Sequence, residues 1–226
     1  NAASITNTSD VGPIQRLREG LAYIRGEPMI SRTIVMVGMV GIFGMNFNVW
    51  VPVLASDAFA AGSSGYGQLF SAMGVGSLLG ALSLAFSGRG PNRNRMVIAV
   101  FAMGAGEIVL GLVAASGTAL LLGAMMIALV GFTNTNTMST ANTLVQTTAS
   151  DHLRGRVMAV YMTVFAGTIP FGALLAGWVT GHFGITVSLV MSGTMVVLAG
   201  LYQLWAARQT RREPRKAESA TARVGS

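Results

Sequence analysis

Residues 101–115 read FAMGAGEIVLGLVAA. Apolar residues and glycine fill every position except one, and that one is an acid, Glu107. No basic residue stands within ten positions of it on either side. A helix on the surface of a soluble domain keeps a polar face, whereas one that is apolar all round is buried or lies in lipid. Widened to 96–115, the run reaches the roughly 20 residues that a helix needs to cross a bilayer.

The rest of the chain repeats this pattern. Of its 226 residues 52% are hydrophobic and only 10% are charged, against about 25% charged in an ordinary soluble domain. Too little charge is present to coat a globule, so the composition is that of a membrane protein. The 29 glycines agree with that, since glycine is more frequent in membrane-spanning helices than in soluble ones. There is no cysteine, which excludes disulfides and thiolate metal sites. The net charge is +7, but the basic residues stand in short clusters between apolar runs, which speaks against nucleic acid as a partner.

Six stretches are long and apolar enough to span, at about 33–55, 66–87, 96–115, 118–140, 157–181 and 185–207. Backbone groups in lipid must pair within their own segment, so the spans are helices. No alternating ten-residue strand pattern of a membrane barrel is present. The expected fold class is therefore an all-α integral membrane protein of six transmembrane helices. The basic residues sort by connection. Arg16, Arg18, Arg25 and Arg32 precede span one, Arg89, Arg93 and Arg95 follow span two, Arg154 and Arg156 follow span four, and the remaining six follow span six. The alternate connections, around Asp57, Ser116 and His182, hold none. The positive-inside rule then places both termini in the cytoplasm, and an even number of spans agrees.

Residues 14–27, IQRLREGLAYIRGE, put Ile14, Leu17, Leu21 and Ile24 on one helical face. This predicts an amphipathic helix on the cytoplasmic surface within a linker of residues 1–32, ended by Pro28. The polar, basic stretch 208–226 is expected to be a disordered cytoplasmic tail. The chain begins with Asn1, and no signal peptide precedes a cleavage site; the start reads as the inside of a longer reading frame.

An internal repeat is visible. VGIFGMNFN at 40–48 and VGFTNTNTM at 130–138 share Val-Gly and a later asparagine, Asn46 and Asn136, at an offset of 90. GALSLAFSG at 80–88 and GALLAGWVTG at 172–181 match at an offset of 92. Two ordered matches at nearly one spacing suggest a three-plus-three duplication. With three spans per unit the copies run in opposite directions, the inverted repeat common among secondary transporters.

Four stretches carry a family likeness: REGLAYIRGEPMI (18–30), GIFGMNFNVWVPVLA (41–55), ANTLVQ (141–146) and DHLRGRVMAVY (151–161). In these the chain resembles the major facilitator superfamily, and more narrowly the drug- and siderophore-efflux branch that includes the enterobactin exporter and macrolide efflux proteins. With the spacing of the spans the resemblance covers nearly all of 14–207. That family has twelve helices in two halves, and this chain resembles the second half. The implied function is secondary efflux of a small hydrophobic compound, drug or siderophore, by alternating access in a bacterial cytoplasmic membrane. The partners are then the bilayer, a small-molecule substrate, and a missing N-terminal six-helix half or a second copy. The rival readings are a non-transporting truncated fragment and a homodimeric half-transporter. The family's loop signature after the second helix of each half combines Gly, Asp and several Arg. Here GRGPNRNR (88–95) keeps Arg89, Arg93 and Arg95 but has no Asp.

Polar groups at membrane depth are costly and need partners. The resemblance puts spans one and four against the central cavity. Asn46, Asn134, Asn136 and Trp50 are thus the candidates for lining a substrate cavity; the competing role for the asparagines is hydrogen bonding between helices. Asp151 is placed to cap the start of span five, with Arg154 and Arg156 facing headgroups or the other half. Pro170 and Gly172 fall inside span five, where a proline permits a kink. Glu107 shares a face with Gly104, Gly111 and Ala114, so it should point into protein. It could carry protons during exchange. In the family the third helix of each triplet is peripheral, which favours a structural hydrogen bond instead. No nucleophile–base pair, metal cluster or phosphate loop stands out, so no enzyme and no cofactor is expected.

Overall fold

The computed structural model describes residues 13–88, 90–117 and 120–224, with side chains described within 18–209. The described residues form helices and no strand. Helix α1, Pro13–Gly26, precedes the spans. Its partners lie in the connection between spans four and five: Tyr23 Oη accepts the Ser150 N–H at 3.2 Å, and Arg156 donates to the Glu19 carboxylate. Pro28 opens the next helix, at a position where a missing N–H costs nothing.

The first span is built in pieces. Helix α2 runs Pro28–Phe43 and α3 runs Phe47–Val53. A π-helical turn, Leu54–Ala58, follows Pro52. Three further helices are regular: α4, Gly62–Ala85; α5, Arg93–Ser116; and α6, Leu120–Thr148. Helix α5 ends on Gly117 at φ 62°, the left-handed conformation glycine adopts without strain. The last helix, α7, extends over Arg154–Val224 and is broken at Gly184, where φ is 84° and ψ is 165°.

Five of these segments are long and apolar enough to cross a membrane, the last being Arg154–Gln209 at 56 residues. Straight, 56 residues would reach roughly 84 Å at about 1.5 Å each, far beyond a hydrocarbon core of about 30 Å. The helix instead folds back at Gly184, and Ser188 Oγ on the second arm reaches the Ala176 carbonyl on the first at 3.5 Å. The two arms are spans five and six. Beyond Arg208 the backbone is helical to Val224. Ala, Glu, Lys and Arg dominate that stretch and are strong helix formers.

Helices in lipid gain little from the hydrophobic effect between them and approach closely through small residues. The first arm of α7 lies on α2, where a Cβ on Gly172 would sit 2.5 Å from the Ile42 carbonyl oxygen and 2.9 Å from Asn46 Oδ1. Helix α4 lies on α6 in the matching way: a Cβ on Gly80 would sit 2.7 Å from the Phe132 carbonyl oxygen and 3.2 Å from Asn136 Nδ2. Gly172 and Gly80 are repeat mates, and so are Asn46 and Asn136. Spans three and six cross at Gly104 and Gly193, each backed by the other's carbonyl. Exchanging the first three spans for the last three thus returns the same packing, and the repeat read from sequence is reproduced in the contacts.

Candidate functional site

The interruption in span one is the centre of the site. Gly44 ends α2, and Asn46 stands at the N-cap of α3 with φ −94° and ψ 31°. An interrupted helix leaves carbonyls without an i+4 donor, and in lipid these must be satisfied by other groups. Asn46 does this itself, donating from Nδ2 to the Ile42 carbonyl at 2.8 Å and to the Phe43 carbonyl at 3.2 Å. Ser192, from the second arm of α7, also donates to the Phe43 carbonyl.

Around this break three of the sequence candidates come together. Asn46 is 5% exposed and Trp50 is 1% exposed. Trp50 Nε1 donates to Ser188 Oγ at 3.0 Å, and its ring meets Phe47 edge-on at 5.8 Å between centroids. Ser188 and Ser192 are one turn apart on the same face of span six. A cavity of about 10 Å³ separates Ile42, Asn46 and Trp50 from Ala176, Ser188 and Ser192, about the smallest volume that admits one water. Behind Ser192 stands Glu107, fully buried, with Oε2 at 2.9 Å from Ser192 Oγ. Its Oε1 is buried and has no hydrogen-bond partner among the described residues. Glu107 therefore does point into protein.

Asn136 lies elsewhere. It is 3% exposed and fully engaged: Nδ2 donates to the Phe132 carbonyl at 2.9 Å and reaches the Gly80 carbonyl at 3.4 Å. Its Oδ1 accepts from Arg95 Nε at 3.2 Å and Ser83 Oγ at 3.3 Å. Arg95 also donates to Ser83 Oγ at 2.9 Å. Helix α6 continues through this point without a break. Asn134 is half-buried, with a buried Oδ1 that has no partner among the described residues.

The loop candidates divide. Arg89 lies outside the described residues. Asp151 does not cap a backbone N–H: its carboxylate pairs with Arg154 at 2.6 Å, and the Ser150 carbonyl takes the Arg154 N–H at 2.8 Å instead. Arg154 Nε donates to the Gln146 carbonyl at 2.9 Å, a cation placed at the C-terminal end of α6 where the helix dipole favours it. Arg156 ties α1 to the start of α7 through Glu19. The residues sequence reasoning missed are Ser83, Ser188 and Ser192. The spacing of Ser188 and Ser192, four apart in an apolar span, was the available signal.

A family model described as "Transmembrane secretion effector", of the major facilitator superfamily, matches residues 10–221. The chain is similar to the multidrug efflux pump Tap of Mycolicibacterium fortuitum, 28% identical over 193 residues, which covers 84% of this chain and 46% of that protein. It is also similar to the Tap pumps of Mycobacterium bovis (strain BCG / Pasteur 1173P2) and Mycobacterium tuberculosis (strain ATCC 25618 / H37Rv), each 31% identical over 136 residues, covering 60% of this chain and 32% of those proteins. The chain thus spans less than half the length of these curated relatives. No solved structure matches it. With five segments long and apolar enough to cross a membrane among the described residues, the last folded into two arms at Gly184, and a match over nearly its whole length, the chain is a multi-pass membrane protein that belongs to the transmembrane secretion effector family of the major facilitator superfamily.

Proposed function

We propose that this chain is the C-terminal six-span half of a secondary efflux transporter that exports small hydrophobic compounds by alternating access. The likeness to multidrug efflux pumps supports export. The match to less than half of their length supports a second six-span bundle as partner, supplied by the same polypeptide or by another copy. The sorting of the basic connections supports a cytoplasmic placement of both termini.

The observation that carries the reading is the interrupted span one. Discontinuous helices in transporters sit at binding sites, where unwound backbone is held by side chains. Here the interruption brings Asn46, Trp50, Ser188 and Ser192 round a space of about 10 Å³, so a compound reaches this polar and aromatic surface only when spans one and six part.

Glu107 is the proton carrier in this proposal. Ser192 has one hydrogen and faces two acceptors, the Phe43 carbonyl and Glu107 Oε2. A protonated Glu107 donates to Ser192 Oγ, and the serine proton is left for Phe43. Once the carboxyl proton leaves, either the carboxylate or the carbonyl at the break goes short. Proton loss thereby acts on span one through one serine.

The test uses the full natural polypeptide reconstituted in vesicles with a lipophilic dye as substrate. Glu107→Gln keeps shape and hydrogen bonding but does not titrate. The expected result is loss of pH-driven efflux with downhill exchange intact. Near wild-type pH-driven efflux by Glu107→Gln would assign the carboxyl a purely structural role. No dye movement by the wild-type polypeptide, at any gradient, would remove the transport reading itself.

A further inference from the structure

A second cavity, of about 340 Å³, opens at the end of the bundle where the basic residues gather. It is walled by the start of α2 (Glu27, Met29, Arg32), the first residue of α5 (Arg93) and the last apolar turns of α7 (Gln203, Ala207). We propose that this cavity binds the headgroup of an anionic glycerophospholipid whose headgroup carries free hydroxyls, such as phosphatidylglycerol.

Four features lead there. Arg32 and Arg93 come from different helices and place two guanidinium groups on one cavity, the arrangement that binds a phosphodiester. Gln203 is only 3% exposed, yet its Oε1 has no hydrogen-bond partner among the described residues. A buried amide oxygen without a protein donor is open to one from a water or from a ligand in the cavity. A headgroup hydroxyl brings it, and a choline headgroup does not. Glu27 lines the same cavity. Its carboxylate repels a free phosphate dianion but accepts a hydroxyl hydrogen, so it selects a singly charged diester with a hydroxylated cap.

The fourth feature sets the depth. Tyr202 and Trp205 flank Gln203, are 36% and 60% exposed, and have ring centroids 6.4 Å apart. Exposed Tyr and Trp mark the headgroup level of a membrane protein. Basic pockets between transmembrane helices at that level are suited to anionic headgroups. Leu201 and Ile98 on the same two helices are exposed at 48% and 68%, an apolar surface along which acyl chains can lie.

The test is binding, so it is independent of transport. The full natural polypeptide is extracted in mild detergent, stripped of lipid, and offered mixed micelles of phosphatidylglycerol or phosphatidylcholine; retained lipid is counted by mass spectrometry. Wild type should retain phosphatidylglycerol in preference. Each arginine is expected to contribute about 5-fold, so Arg32→Gln with Arg93→Gln should weaken retention roughly 25-fold. Gln203→Leu should weaken it several-fold with both arginines in place, which keeps the proposal testable if the double variant misfolds. Arg18→Gln, outside the cavity, should change nothing. Equal retention of the two lipids by wild type, or full retention by a folded double variant, overturns the proposal. So does displacement of the lipid by millimolar glycerol 1-phosphate or inorganic phosphate, which would make this a site for soluble phosphates.

Discussion

Spans one and four begin from the same motif and end differently. Each carries Val-Gly and, six residues after the valine, an asparagine. Each asparagine donates to the carbonyl four residues back, Asn46 to Ile42 and Asn136 to Phe132. Each is backed by the repeat-mate glycine of a neighbouring span, Gly172 or Gly80. Yet span one breaks at Gly44–Asn46 and span four stays helical. The difference lies in what the surrounding spans supply. Span six offers Ser192 to the Phe43 carbonyl, which keeps the broken backbone satisfied. Span three carries no hydroxyl side chain between Arg93 and Ala115 that could do the same for span four. Span three offers Arg95 to Asn136 instead, and Ser83 joins it, so that asparagine is locked as a brace. Duplicated sequence sets the scaffold, and single side chains from elsewhere decide which copy opens.

The largest effects should come from the two glycines, where the copies are alike. Gly172→Leu and Gly80→Leu each drive a side chain into a neighbouring backbone and should abolish recovery of monodisperse protein in detergent. The milder Gly172→Ala and Gly80→Ala should each cost about 1–3 kcal/mol in a thermal melt. A severe loss at one and none at the other would end the equivalence of the two crossings.

Next in size is Asn136→Ala, which strips Arg95 of an acceptor inside the bundle and should cost about 1–3 kcal/mol. Ser192→Ala leaves Glu107 and the Phe43 carbonyl each short of a partner, and should cost about 1–2 kcal/mol while lowering pH-driven efflux. Asn46→Ala should cost less than Asn136→Ala, because the carbonyls it serves can pair again if the helix closes. It should lower efflux more than it lowers the melting temperature. If Asn46→Ala proves the costlier of the two asparagine changes, the break is a rigid feature and not a marginal one. Smallest of all is Asp151→Ala, an exposed pair whose removal should leave the melt within its scatter.

The spans, their order and the repeat were legible because they depend on composition and period alone. An apolar run of 20 residues has few choices in lipid, and charge sorts the connections. The break was not legible, since the run 33–55 is apolar but for Thr33, Asn46 and Asn48, and neither Gly44 nor Asn46 forces an interruption by itself. It depends on Ser192, nearly 150 residues away. Asn46, Trp50 and Glu107 were found because polar or indole groups in apolar runs need partners, but which partners they have is a matter of packing. Arg95 read as a loop charge, yet its side chain is long enough to reach back to Asn136. Asp151 read as a cap, yet a basic side chain three residues on competes for the same carboxylate.

The turn at Gly184 bears on how the protein is made. Between the two arms of α7 the chain reverses through one residue of non-helical backbone, and His182, two residues before it, keeps its Nδ1 at 2.9 Å from the Trp178 carbonyl. Carrying polar loop across the apolar layer is the costly part of threading a pair of helices into a bilayer. Here almost none has to cross. Spans five and six are built to enter together as a closed hairpin, with their backbone bonds already made.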